Sequence, residues 1–142
     1  LTLINPSKKI EFPVMENTQL GVSIGMALNG NTVPISIFPR WNFLLCATDQ
    51  LVNHLDKIKQ YSHNEWIPKV IIRTSAGSEY PLYPGPQHVG NFSEAFRKML
   101  TNIEIIELHE PEDIFPAYKK AYEREDGKST ILVEFADYYN SK

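Results

Sequence analysis

The feature that most constrains this chain is a series of short, unbroken apolar runs separated by helical patterns. Val33–Phe38, Val70–Arg73, Ile103–Leu108 and Thr130–Phe135 are each rich in β-branched residues. Their apolar residues run together instead of alternating with polar ones, the pattern of strands covered on both faces. Between them, apolar residues recur at three- and four-residue steps. The strongest case is Trp41–Gln60, where Phe43, Leu44, Ala47, Leu51, Leu55 and Ile58 share one face and predict a single long helix. Asn17–Asn29 predicts another, capped by Asn17 or Thr18 and stopped by Gly30. Its Gly21, Ser23 and Gly25 permit close packing against a neighbour. Ser93–Leu100 is a third, capped by Asn91 or Ser93. Pro111–Glu125 is a fourth, opened by a proline and two acids and stopped by Gly127. Residues 10–15 add a short extended entry, although Pro13 disfavours a central hydrogen-bonded place. Strands alternating with helices predict an α/β fold: a three-layer sandwich with a mostly parallel sheet of about five strands flanked by helices.

The length of 142 residues fits one domain over 1–142. A net charge of −3, with acids and bases mixed along the chain, argues against nucleic acid or a polybasic membrane contact as partner. No apolar run is long enough to span a membrane. The start, Leu1 to Pro6, lacks the basic region and apolar core of a signal peptide. A single cysteine, Cys46, excludes an internal disulfide and suits a cytoplasmic or organelle-matrix setting. Cys46 falls within the long helical pattern, where burial is expected.

In open parallel sheets, ligands bind outside the carboxyl ends of the strands. Glu16 follows the first extended segment, and Arg40, Trp41 and Phe43 follow the Val33–Phe38 strand. A loop over 74–90, with Gly77, Gly85, Gly90, Pro81, Pro84 and Pro86 and no periodicity, follows Val70–Arg73 and carries Tyr80, Tyr83, Gln87 and His88. Such a long irregular loop in a compact domain marks function or disorder. A carboxylate, aromatic rings and a histidine on one rim suit a flat heteroaromatic ligand. Taken residue by residue, Glu16 equally complements a helix dipole, Phe43 equally fills a core, and His88 equally sits on a solvated loop. His54, His63 and His109 lack metal-ligand spacing, and no metal site is expected. Residues 125–128 read as a helix stop instead of a phosphate loop.

These segments, in order, carry a resemblance. Val14-Met15-Glu16 followed by residues 20–30 resembles the first motif of the transketolase-like pyrimidine-binding domain. Phe38–Phe43 and Ala47–Asn53 resemble its aromatic helix. Val70–Arg73 with Gly77 and Gly85–His88 resembles its strand and "QH" loop, and Pro111–Asp113 resembles a helix start. Among family members, the beta subunits of pyruvate and other 2-oxo acid dehydrogenases are the nearest in pattern; deoxyxylulose-phosphate synthase and transketolase are more distant.

The resemblance implies thiamine diphosphate as cofactor. It implies that Glu16 bonds the aminopyrimidine ring nitrogen, favouring the imino tautomer that takes the thiazolium proton. It implies Phe43 as the ring that stacks on the aminopyrimidine, with Trp41 and Arg40 as further cofactor-binding residues, and His88 as a catalytic residue beside Glu16. The "GDG…N" segment that holds diphosphate and magnesium in such enzymes is not in this sequence. A partner diphosphate-binding domain or alpha-type subunit, in a homo- or hetero-oligomer, is therefore expected to hold the magnesium, with a 2-oxo acid or ketose as substrate. The expected chemistry is decarboxylation and acyl transfer, or ketol transfer of the kind made by a split transketolase or deoxyxylulose-phosphate synthase. A non-catalytic interaction module of the same fold is the rival. The chain is either a stand-alone domain or a fragment lacking the family's first strand and helix, which would leave a sheet edge open.

Overall fold

The computed structural model describes residues 4–80 and 82–140; Pro81, one of the loop prolines, and Leu1–Leu3 at the start lie outside them. Four parallel strands, β1 (Ile35–Ile37), β2 (Ile71–Ala76), β3 (Ile103–Leu108) and β4 (Ser129–Phe135), form one sheet in the order β1-β2-β4-β3. The helices are α1 (Glu16–Leu28), α2 (Trp41–Leu45), α3 (Ile58–Tyr61), α4 (Ser93–Met99) and α5 (Pro111–Glu123). The α/β, helix-flanked parallel sheet is as the sequence predicts, but among the described residues it has four strands instead of about five. Residues 10–15 stay outside the ladder. Pro13 has no N–H to give a neighbour, and Val14, 88% exposed, buries no side chain that would hold the segment there.

Alternation along β2 and β4 splits the core into two layers. Val70, Ile72, Ala76, Ile131 and Val133 face α1, α2 and α4, packing on Leu20, Ile24, Trp41, Leu44 and Phe96. Ile71 and Leu132 face the other way, onto Ala117 and Ala121 of α5. This is why the central strands read as unbroken apolar runs. Each residue meets one of two apolar layers. Coverage is unequal, however. The lone helix α5 packs on β3 and β4, and on its side of the sheet Ile35 and Ile37 of the edge strand β1 are left exposed.

Two elements depart from the sequence pattern. β2 runs on to Ala76, past the expected end at Arg73, because Thr74, Ser75 and Ala76 pair with Val133, Glu134 and Phe135. Ser75 turns its hydroxyl inward to the Pro39 carbonyl at 2.7 Å. The long helix expected from Trp41 to Gln60 is interrupted by a π-helical stretch, Gln50–Leu55, in which the Asp56 N–H reaches back to the Leu51 carbonyl at 3.0 Å. A π turn admits one extra residue into the helical path. Here Leu55 and its neighbour Asp56 are both buried. Cys46, expected inside, is exposed, because it follows the last residue of α2 on the solvent side.

Asp56 ties this helical stretch to the turn between α4 and β3. Its carboxylate accepts the N–H groups of Thr101 (2.8 Å) and Asn102 (2.7 Å) and the Thr101 hydroxyl (3.0 Å), with the Lys57 ammonium at 2.7 Å. Burial pushes the carboxyl pKa up, but Lys57 and the two N–H donors outweigh it and hold the group below its ordinary value. Asp56→Ala is expected to cost about 2–4 kcal/mol, since two backbone donors lose their acceptor. A depressed native pKa gives stability that is complete above the unfolded pKa of about 4 and is lost as pH falls through the native value. Urea denaturation from pH 7 to pH 3 should therefore show an acid-dependent loss in the parent that Asp56→Ala largely lacks.

Candidate functional site

An open groove of about 630 Å³ lies between the extended segment before α1, the first half of α1, the edge strand β1 and the start of α2. It exists because β1 has a neighbour on one side only. Glu16, half-buried, opens α1 and lines this groove. The residue before it, Met15, makes no side-chain cap, and neither Asn17 nor Thr18 serves as N-cap. Glu16 itself sits in the first turn, where a carboxylate is favoured by the free N–H groups and the helix dipole.

One turn further on, Gln19 donates from Nε2 to the Ser36 hydroxyl (3.0 Å) and to the Ile37 carbonyl (3.1 Å), tying α1 to the edge strand inside the groove. Gln19 and Ser36 were missed in the sequence. The signal for Gln19 was its three-residue spacing from Glu16, which sets both on one helix face. Gly21 lets α1 approach the π-helical stretch; a Cβ there would stand 3.3 Å from the Gln50 Oε1 atom. Gly25, in contrast, has open space around it.

Phe43, half-buried on α2, also lines the groove. Its ring stacks on His88, with centroids 5.6 Å apart and planes at 20°. Arg40 joins the same cluster, donating from Nη1 to the carbonyls of Gly77 and His88. The Nδ1 atom of His88 is buried and has no hydrogen-bond partner among the described residues. Trp41 does not join them. It is completely buried, stacks on Phe96 at 5.1 Å, and belongs to the core layer under α1. Tyr80 and Tyr83 face solvent away from the groove. His54 stands 3.7 Å from Asp49 on the exposed side of the helical stretch.

The structure thus brings Glu16 and Phe43 to one groove and links Phe43, His88 and Arg40 by direct contact, while Trp41 goes inside. A carboxylate, a carboxamide, a hydroxyl and an aromatic face, set among apolar walls such as Val22 and Ile35, suit a flat heteroaromatic ring with both donor and acceptor edges.

Comparison with known families adds to this geometry. The family described as "Transketolase, pyrimidine binding domain" matches residues 5–140 of the chain. No curated protein matches it. Among the described residues, no helix is long and apolar enough to cross a membrane.

The two aromatic neighbours on α2 should separate by mutation. Trp41→Ala empties a fully packed position and is expected to cost about 3–5 kcal/mol of folding stability. Phe43→Ala, at a half-exposed position, should cost about half of that or less. Urea midpoints of the two variants at unchanged m-value check this; a Trp41→Ala variant as stable as Phe43→Ala would remove Trp41 from the core.

Proposed function

The chain belongs to the transketolase pyrimidine-binding domain family, and we propose that it supplies the pyrimidine half-site of a thiamine-diphosphate enzyme, with Glu16 as the group that engages the cofactor's ring. The observation that carries this reading is that Glu16 and Phe43 open onto the same groove. When bound, thiamine diphosphate supplies a thiazolium carbon that adds to a carbonyl and accepts the electrons of the bond that breaks. The chain's own residues do the rest. The Glu16 carboxylate would bond the ring nitrogen and hold a proton there. Phe43 offers an aromatic face, and Gln19 and Ser36 fix the floor between α1 and β1. His88, a catalytic residue in this proposal, meets the substrate. Arg40 and Trp41, expected as cofactor ligands from the family pattern, are left out of that role: the Nη1 of Arg40 bonds backbone carbonyls, and Trp41 is fully buried.

We assign the diphosphate and its magnesium to a partner, either a diphosphate-binding domain or an alpha-type subunit, because this sequence has no segment of the kind that holds them. Residues 1–142 then act as one domain of a homo- or hetero-oligomer. The resemblance to the beta subunits of 2-oxo acid dehydrogenases supports decarboxylation and acyl transfer as the reaction. A split transketolase or deoxyxylulose-phosphate synthase would transfer a ketol unit with the same half-site.

Glu16→Gln keeps size and reach but cannot hold the proton. In the assembled enzyme it is expected to slow exchange of the thiazolium proton, and turnover with it, by roughly two to four orders of magnitude, with folding and partner docking intact. Deuterium exchange at the cofactor measures this. Exchange as fast as the parent's would sink the assignment and favour an interaction module. His88→Ala should lower kcat with cofactor affinity nearly unchanged; unaltered kinetics would make His88 a bystander.

A further inference from the structure

We propose that Arg40 is a positioning residue: its guanidinium clasps both ends of the loop after β2 and thereby fixes His88 against Phe43. The consequence for catalysis rests on the reading of His88 above, but the clasp itself does not. Arg40 stands at a junction. Its backbone carbonyl accepts the N–H groups of Phe43 (3.1 Å) and Leu44 (3.4 Å), so it starts the helix that carries Phe43. Its side chain crosses to the loop, where Nη1 donates to the Gly77 carbonyl at the beginning and to the His88 carbonyl, 3.3 Å away, at the end.

Among the described residues, two backbone hydrogen bonds hold the same neck. The Gly77 N–H donates to the Val89 carbonyl (3.2 Å) and the His88 N–H to the Gly85 carbonyl (3.0 Å), both within the loop and its neck. The Asp137 carboxylate accepts the N–H groups of Glu79 (2.6 Å) and Tyr80 (3.3 Å), but these lie at the start of the loop. The Ser78 hydroxyl donates to the Leu82 carbonyl (2.8 Å), and the side chains of Tyr80, Leu82 and Tyr83 are exposed. A loop whose tip side chains face solvent is ordered largely by its neck. At the His88 end a charged donor is shared by two carbonyls, a stronger contact than a neutral backbone bond. The ring of His88 keeps its place over Phe43 only while its own carbonyl is held.

Amide hydrogen exchange on the isolated chain tests the clasp without any cofactor. In Arg40→Ala, the Gly77 and His88 amides are expected to exchange about tenfold faster or more, given the usual worth of a hydrogen bond to a charged group. Amides of β2 and β4 should keep their protection, and the upfield ring-current shift of the His88 ring protons should be lost. Methylguanidinium should restore both signals. Arg40→Lys, with a compact ammonium in place of the fork, should restore them only in part. Unchanged loop amides, or faster exchange spread evenly over the sheet, would overturn the proposal. In the assembled enzyme, Arg40→Ala should lower kcat with cofactor affinity kept. Equal losses in both would make Arg40 a cofactor ligand and overturn the positioning role. If the parent assembly binds no thiamine diphosphate, the proposed function fails while the exchange result still decides the clasp.

Discussion

The ladder between β2 and β4 is the constraint on which the rest depends. It joins the two central strands over six residue pairs, from Ile71 opposite Thr130 to Ala76 opposite Phe135. Its residues are covered on both faces, and a parallel pair has no stable existence without that cover. One layer therefore has to be built from α1, α2 and α4, and the other from α5. The ladder also fixes where the chain leaves the sheet. β2 ends at Ala76, and Gly77 turns at once into the loop with φ +82°, a conformation that glycine takes without strain. A side chain there would meet the Asp137 carboxylate that follows β4. The loop that brings His88 to Phe43 is thus anchored where the two central strands end.

Function grows from the opposite property, incompleteness. β1 is three residues long and has a neighbour on one side only. Its outer edge, with exposed Ile35 and Ile37, forms one wall of the groove that Glu16, Gln19 and Phe43 enter. A fully covered sheet would have no such opening. The same open edge is a pairing liability in a free chain, and it suits the proposed half-site, in which a partner holds the rest of the cofactor. Glu16 gains from this placement as well, because the head of α1 faces the groove instead of the core.

How much of the site was legible depended on whether local chemistry or long-range contact set each residue's role. Glu16 and Phe43 stood in recognisable motifs, and both line the groove. Trp41, two residues from Phe43, carried the same aromatic signal. Positions two apart on a helix point about 200° from each other, so Trp41 lies in the core, against Phe96, while Phe43 faces the groove. Periodicity marks a face as apolar and leaves open which of its rings meets solvent. Gln19 was passed over because a glutamine on a helix usually faces water; here the edge strand stands within its reach. Arg40 could be placed on the rim, but its acceptors, the carbonyls of Gly77 and His88, lie far along the chain and leave no mark in composition or spacing.

The sequence by itself determined the alternation of strands and helices, the burial of the central strands on both faces, and the family. Each of these is encoded in local runs of residue type, where hydrophobic burial and backbone preference act over a few positions. It mispredicted the strand count at residues 10–15, the end of β2, and the continuity of the helix after Trp41. Each of those depended on what stood opposite. Thr74 and Ser75 look like loop residues until β4 pairs with them. The helical face over 50–55 reads as regular until Asp56 finds the N–H groups of Thr101 and Asn102. Only the tertiary structure decided these, and with them the groove and the Arg40–His88–Phe43 contact, because a hydrogen bond or a ring stack between distant segments is a property of the pair and is written in neither segment alone.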